Sequence, residues 1–223
     1  MHSVQHSLSF APELPFKYVG GDPALDLVNT VDWTEHGLEQ DRLPDYERLT
    51  RWAEGAGVLS GREAAILRAR ARAHPQEAET AYRHALEVRR ILHRLFTAVA
   101  QGNAGKEELD DFNRLLARTV VRMRVAADEA TGRRREPRFE IAWREADRLE
   151  AVVWPLVWSA AALMLSPDTG RIRVCAGSNC GWIYVDRSRN QLRRWCQMAT
   201  CGTREKSRRR YRKARRRPGP RQY

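Results

Sequence analysis

The chain has 223 residues, of which 42% are apolar and 30% are charged, a composition that supports one sizeable core and excludes a membrane protein. Its longest apolar run, residues 151–165, is shorter than the roughly 20 residues that cross a bilayer. With four cysteines and no recognisable signal peptide, we expect a cytoplasmic protein with reduced thiols rather than a secreted, disulfide-bonded one.

The positive charge is concentrated at the C-terminal end. Residues 187–223 hold 15 of the 40 Lys and Arg residues and one of the 28 Asp and Glu residues, which is a net charge of +14. The remaining 25 basic and 27 acidic residues give the first 186 positions a net charge of −2. A neutral body with a polycationic end predicts a polyanionic partner.

The N-terminal half is predicted to be mainly helical. Gly20–Pro23 is a turn in which Asp22 caps a helix over residues 24–31 and Pro23 takes its first position. Further helices are predicted over residues 45–56 and from a capping box, Ser60 with Glu63, to about residue 72. The polar side chains on the first helix are either internal hydrogen-bonding groups, the interpretation we favour, or the rim of a ligand pocket. They are Asp26, Asn29 and Thr30.

The middle of the chain combines long helices with a hairpin. Residues 76–101 carry apolar side chains at helical spacing and end at Gly102. A shorter helix over residues 107–118 precedes two predicted strands, residues 119–127 and 138–143, which turn around Gly132. One apolar helix is predicted over residues 147–165, and the breaker at residues 166–170 marks the domain boundary.

The four cysteines form two equally spaced pairs, Cys175-x4-Cys180 and Cys196-x4-Cys201. Zinc is held by four thiolates in a tetrahedron, and each pair can supply half of such a site. Four thiolates leave no position for an activated water, so the pattern predicts one structural Zn²⁺ and no metal-based catalysis. The alternative is two disulfides, which a cytoplasmic location disfavours.

The elements around the cysteines have a recognisable order. Residues 171–174 and 181–186 are predicted strands, with Trp182 and Tyr184 in the small core of the module. A helix opens at Cys201 and runs to about residue 217. Hairpin, second ligand pair and helix follow one another as in a treble-clef zinc finger.

The predicted C-terminal helix is rich in arginine around its whole circumference. Like charges one turn apart repel each other, and a phosphate backbone would relieve that repulsion. A basic helix also fits the major groove of DNA. A solvated, non-specific tail is the alternative. The expected nucleic-acid contacts are Arg193, Arg194, Arg204, Lys206, Arg208, Arg209 and Arg212.

Residues 171–213 resemble the CGNR zinc finger, through Cys-x4-Cys-Gly-Trp, the turn from Asp186 to Ser188, and Arg-Arg-Trp-Cys-x-Met-x-x-Cys-Gly. The segment Gly-Gly-Asp-Pro-Ala-Leu-Asp-Leu-Val-Asn-Thr from Gly20 resembles the entry of the ABATE domain that precedes this finger in its family. The resemblance implies a stress-induced transcription regulator with DNA contacts through the finger and a ligand-sensing N-terminal domain. The chain departs from the Cys-Gly-Asn-Arg motif at Thr203, where asparagine adopts a left-handed backbone more readily than threonine.

Together these observations predict an α+β protein with a helix-rich domain at residues 15–166 that contains a small β-hairpin, a treble-clef finger at residues 171–217 and a disordered tail at residues 218–223. We expect a zinc-dependent, nucleoid-associated DNA-binding regulator, compatible with a homodimer and with an unidentified small ligand. An RNA- or ribosome-associated protein is the first alternative. An enzyme is the second, but the sequence shows no familiar catalytic motif.

Overall fold

The computed structural model describes residues 9–10, 14–34, 37–127 and 139–215. It is a helix-rich α+β fold with small strand pairs, as the sequence predicts. The helices of the N-terminal domain are α1 (Pro23–Val28), α2 (Tyr46–Gly55), α3 (Gly61–Ala73), α4 (Pro75–Gln101), α5 (Lys106–Val120) and α6 (Trp154–Leu165).

Helix α4 forms the centre of the core. Ala81, Ala85, Val88, Leu92 and Leu95 lie on its buried side, and the helix contacts α1, α2, α3 and α5. Gly102 ends it in the left-handed conformation, with φ of 71°, which a glycine adopts without steric cost. The predicted long helix is therefore confirmed, including its end.

Side-chain caps begin helices α1 and α3 where the sequence predicts them. The Asp22 carboxylate accepts from the N–H of Ala24 at 2.8 Å, with Pro23 in the first turn. Ser60 accepts from the N–H of Glu63 at 3.2 Å, and the Glu63 carboxylate accepts from the Ser60 N–H at 2.7 Å. Each cap satisfies N–H groups that the first turn leaves without a helical partner.

The first helix is shorter than predicted. Instead of continuing to residue 31, α1 ends at Val28 and the chain enters a hairpin of β2 (Val31–Thr34) and β3 (Gly37–Asp41). The short strand β1 (Ser9–Phe10) pairs in parallel with β3, which gives the strand order β1-β3-β2. Alternating burial is weak in these strands, so the sequence pattern does not reveal them.

The second hairpin is confirmed with shifted bounds. Helix α5 extends to Val120, so the predicted strand over residues 119–127 is wrong in its first part, and β4 spans Met123–Ala127. It pairs with β5 (Phe139–Trp143) in a regular antiparallel register. The predicted turn at Gly132 lies outside the described residues.

The apolar segment after this hairpin is not one helix. Residues Leu149–Val153 form a 3₁₀ helix, and α6 begins only at Trp154, with Pro155 in its first turn. Proline has no N–H to donate to the preceding turn and fits the first turn of a helix best, which agrees with an α-helix that begins beside Pro155. Among the described residues, none of the helices combines the length and apolar composition needed to cross a membrane.

The C-terminal module consists of β6 (Ile172–Val174), β7 (Ile183–Val185) and α7 (Thr203–Arg215). Strands β6 and β7 form an antiparallel pair. The side chains of Ile172, Ile183 and Val185 belong to the hydrophobic core of the N-terminal domain, so the two parts of the chain share one core. The predicted tail at residues 218–223 lies outside the described residues.

Candidate metal centre and nucleic-acid interface

The four cysteines converge on one point. Their Sγ atoms all lie within 4.8 Å of one another, with 3.9 Å between Cys180 and Cys196 and 3.6 Å between Cys196 and Cys201. None of the four forms a disulfide. Thiolates around zinc sit about 3.8 Å apart when each Zn–S bond is about 2.3 Å, so the cluster has the dimensions of a tetrahedral zinc site.

The surroundings of the cluster favour a thiolate at Cys175, whereas its hydrogen-bonded neighbours and burial raise the pKa values of Cys180 and Cys196. The N–H groups of Cys196 and Gly177 donate to the sulfur of Cys175 at 3.2 and 3.4 Å. The neighbouring thiols of Cys180 and Cys196, together with these amides, lower the pKa of Cys175. Three of the cysteines are buried and Cys180 is half-buried, which leaves little room for a water ligand. The residues therefore fit one structural zinc ion, which would be enclosed by four thiolates.

Side chains at and just before strand β7 point alternately into the small core around the cysteines and into the core of the N-terminal domain. Trp182 and Tyr184 pack around the cysteines, whereas Ile183 points into the N-terminal domain. This confirms the predicted role of the two aromatic residues in the core of the module. The Tyr184 hydroxyl donates to the carbonyl of Arg193 at 2.7 Å, so this small core also fixes the loop that leads to Cys196.

The last cysteine lies just before the basic helix rather than in it. A π-helical turn, Met198–Gly202, carries Cys201, and α7 begins at Thr203. Thr203 has φ of −67° and ψ of −42°, an ordinary helical conformation, and its hydroxyl donates to the Met198 carbonyl at 3.1 Å. Threonine therefore introduces no left-handed strain where the CGNR motif has asparagine.

Helix α7 is fixed to the loop between the first two cysteines. The carboxylate of Glu205 accepts from the N–H of Ser178 at 3.0 Å and from its hydroxyl. Arg208 donates to the same hydroxyl. The hydrogen bonds from Ser178 lower the pKa of Glu205, so this acid of α7 stays ionised and holds the orientation of the helix.

Beside this link lies a basic groove of about 630 Å³ between α7 and the segment before Cys196. It contains five of the seven predicted nucleic-acid contacts, and its acid, Glu205, is bound to Ser178. The Arg194 guanidinium lies over the Trp195 ring, 5.5 Å from its centroid. The basic groove is lined by Ala176, Arg194, Trp195, Glu205, Lys206, Arg208, Arg209 and Arg212.

The other two predicted contacts lie elsewhere. Arg193 uses its guanidinium inside the protein: Nε donates to the Trp195 carbonyl at 3.0 Å, Nη2 donates to the carbonyls of Val19 and Cys196, and the group stacks on the Tyr184 ring at 4.0 Å. Its donors are engaged by backbone carbonyls, so Arg193 clamps the metal module. Arg204 lines a separate cleft of about 280 Å³ between the module and the N-terminal domain.

The three polar residues that the sequence places on the first helix are buried and bonded within the protein, and two of them, Asn29 and Thr30, follow the end of α1. Asp26 accepts from the N–H of Gly20 at 2.7 Å. Thr30 donates to the Leu27 carbonyl at 2.6 Å and accepts from Arg89 at 2.9 Å. These contacts correspond to the internal hydrogen-bonding alternative that the sequence analysis favours.

Asn29 makes the most specific of these contacts. Its amide nitrogen donates to the Ile183 carbonyl at 2.8 Å, and its amide oxygen accepts from the Ile183 N–H at 2.9 Å. The side chain thus pairs with β7 as a neighbouring strand would. It is 1% exposed, so neither partner can turn to water instead.

Two family profiles match the chain in the order of these parts. The first, ABATE, described as "putative stress-induced transcription regulator", matches residues 21–167. The second, the CGNR zinc finger, matches residues 171–215 and includes all four cysteines. The chain belongs to the ABATE family. Neither family is an enzyme family, and no curated protein matches the chain.

The ABATE domain holds the CGNR finger through its entry motif. Three successive carbonyls accept from the finger: Val19 from Arg193 at 3.1 Å, Gly20 from the Val185 N–H at 2.8 Å, and Gly21 from Arg187 at 2.6 Å. The buried Asp26 carboxyl supports this segment from behind, and its burial raises its pKa to about 6. The segment that begins at Gly20 and resembles the ABATE entry motif therefore forms part of the surface that holds the finger.

A second contact joins the finger to the β2–β3 hairpin of the ABATE domain. The N–H of Gly181 donates to the Trp33 carbonyl at 2.7 Å, and the Trp182 indole donates to the Val31 carbonyl at 3.1 Å. A Cβ at Gly181 would lie 2.7 Å from that of Trp33, so only glycine permits this approach. Sequence reasoning did not predict this interface, although the Cys-Gly-Trp triplet was one available signal.

Proposed function

We propose that the protein binds duplex DNA through the basic groove and acts as a transcription regulator, with the zinc ion giving a treble-clef finger its shape. The convergence of Arg194, Lys206, Arg209 and Arg212 on one groove is the observation that carries this proposal. The family description supports a regulatory role.

The charges of the groove suit a polyanion. Within the described residues, Lys206, Arg209 and Arg212 make no ion pair with the protein, and they follow one another at intervals of three along α7. Residues three apart lie on the same side of a helix. Glu205, on the same helix, attracts Arg212 and offsets part of their mutual repulsion. Phosphates would relieve the remainder, with release of counterions.

The rigid support of the groove also favours binding over a solvated tail. Glu205 joins α7 to the cysteine loop, and Arg193 ties the other wall to the ABATE domain. Cations on a fixed scaffold lose less conformational entropy on binding than cations on a free chain. We include no small-molecule ligand in the proposal, since Asp26, Asn29 and Thr30 are occupied by the protein's own groups.

Salt dependence tests the proposal directly. With four or five phosphate contacts, the logarithm of the association constant for a fluorescent duplex should fall with a slope of about −4 against log salt. Arg209→Ala with Arg212→Ala should weaken binding and reduce that slope by about 2. Arg62→Ala is the matched control, since Arg62 is exposed at the start of α3 and does not line the groove.

Three results would contradict it. The first is a slope near zero, and the second is a double variant that binds like the wild type. The third is a clear preference for a structured RNA in direct competition, which would retain a nucleic-acid function and replace DNA as the partner.

A further inference from the structure

The hairpin of β4 and β5 has one wholly apolar face. Side chains that lie directly opposite in an antiparallel pair share a face, and the register pairs Met123 with Trp143, Val125 with Ile141, and Ala127 with Phe139. The opposite face carries the charged side chains Arg124 and Glu140. We call the six paired apolar residues the apolar hairpin face.

The base of this face belongs to the protein core and its outer part does not. Trp143 packs against the core and lies 6.2 Å from the Trp154 ring, measured between centroids. Farther along the hairpin, Val125 is 74% exposed and Phe139 is 69% exposed. An apolar surface that continues from the core into solvent is typical of an interaction site.

The exposed area is of the size that one subunit of a modest dimer requires. Together with Val121, which lies two residues before β4 and is 71% exposed, these side chains offer roughly 400 Å² of apolar surface. A standard interface buries about 800 Å² per partner, of which somewhat more than half is apolar.

The distribution of charge selects the occupant. A charged or polar partner would bury its own polar groups against this face without gaining hydrogen bonds. An identical face matches it in area and in the absence of charge. When two copies pack face to face about a two-fold axis, the exposed side chains of Arg124 and Glu140 remain on the opposite face, where they line a cleft beside the connection between α2 and α3. No charge is then buried, and each copy presents the same surface to the other.

We propose that the apolar hairpin face binds the same face of a second copy of this chain. The resulting homodimer would carry two basic grooves, and that consequence rests on the proposed DNA function, whereas the dimer itself does not. Two grooves would give the larger footprint that specific DNA binding commonly requires.

Sedimentation equilibrium of the full chain with zinc, without nucleic acid, tests the proposal between about 1 and 100 µM, the range of modest interfaces. The wild type should show twice the chain mass at the upper end. Val125→Lys and Phe139→Lys should each weaken dimerisation at least tenfold, because a lysine would be buried without a partner. Glu140→Lys, on the opposite face of the same strand as Phe139, should leave the dimer intact.

A wild type that stays monomeric at the highest concentration overturns the proposal. So does a dimer that survives both lysine variants, or one that Glu140→Lys disrupts equally. Circular dichroism and zinc content of each variant show that loss of the dimer is not loss of the fold. DNA binding can fail or succeed without affecting any of these outcomes.

Discussion

Replacing Asn29 with alanine should destabilise the whole protein, because this side chain joins the ABATE domain to the finger. The substitution leaves the N–H and the carbonyl of Ile183 unpaired, at a position where the native side chain is 1% exposed. An unpaired buried polar group costs about 1–3 kcal/mol. We therefore expect the free energy of unfolding to fall by about 2–4 kcal/mol, a large part of the 5–15 kcal/mol typical of a domain.

Urea denaturation of the zinc-bound protein, followed by circular dichroism, measures this change. With a slope of about 3 kcal/mol per molar urea, the midpoint should drop by roughly 1 M. Asn103→Ala is the matched control, since Asn103 is exposed in the loop after α4. A fall of less than 1 kcal/mol for Asn29→Ala, or an equal fall for the control, would refute the strand-like pairing as a source of stability.

Three further predictions follow from the same contacts. Burial raises the pKa of Asp26 from 3.8 to about 6, so the folded state holds this proton more tightly than the unfolded chain and loses stability as the pH rises from about 3.8 to about 6. Asp26→Asn should therefore gain melting temperature relative to the wild type between about pH 4 and 6 and keep a constant advantage at higher pH. A difference that does not change between pH 4 and 6 would contradict this. Arg193→Ala should speed zinc release to a chromogenic chelator and leave the salt slope of DNA binding unchanged. Arg194→Ala should weaken DNA binding several-fold and leave the melting temperature unchanged. The reverse pattern would show that the roles of the two arginines are misassigned. Cys196→Ser should abolish zinc binding and also lower the urea midpoint of the ABATE domain, because side chains of β7 belong to the core of that domain. An unchanged urea midpoint would show that the finger folds separately.

The predictable parts of the fold depend on local signals. The cysteine spacing predicts the metal centre because each pair of ligands lies on one short stretch of backbone. The capping box at Ser60 and the left-handed glycine at the end of α4 are likewise recognisable from a few neighbouring residues. Such signals require no knowledge of the rest of the fold.

The unpredicted parts depend on contacts between distant segments. The bonds between Asn29 and Ile183 join residues 154 positions apart, and nothing in either local sequence indicates the other. Arg193 and Arg194 are identical neighbours in the sequence, yet the first is clamped by carbonyls and the second lines the basic groove. Charge alone therefore predicts a basic surface, but it does not predict which of the arginines can contact a partner and which are bonded within the protein.

Residues 149–165 form two helices of different type, although the apolar periodicity of this segment predicts one. Apolar spacing predicts one helix, but residues 149–153 form a 3₁₀ helix and the α-helix begins only at Trp154, with Pro155 in its first turn. Hydrophobic periodicity reports which residues are buried and is insensitive to a change of helix type. The pattern therefore predicts an apolar segment over these residues but not where its α-helix begins.

The central claim is that a zinc ion held by four thiolates shapes the basic groove so that it can bind DNA. The most direct test measures zinc content and duplex affinity on the same reduced sample, before chelation, after chelation and after zinc is restored. We predict one zinc ion per chain, at least a tenfold loss of affinity on its removal, and recovery on its return. Zinc-free, fully reduced protein that binds the duplex with unchanged affinity and salt slope would contradict the account.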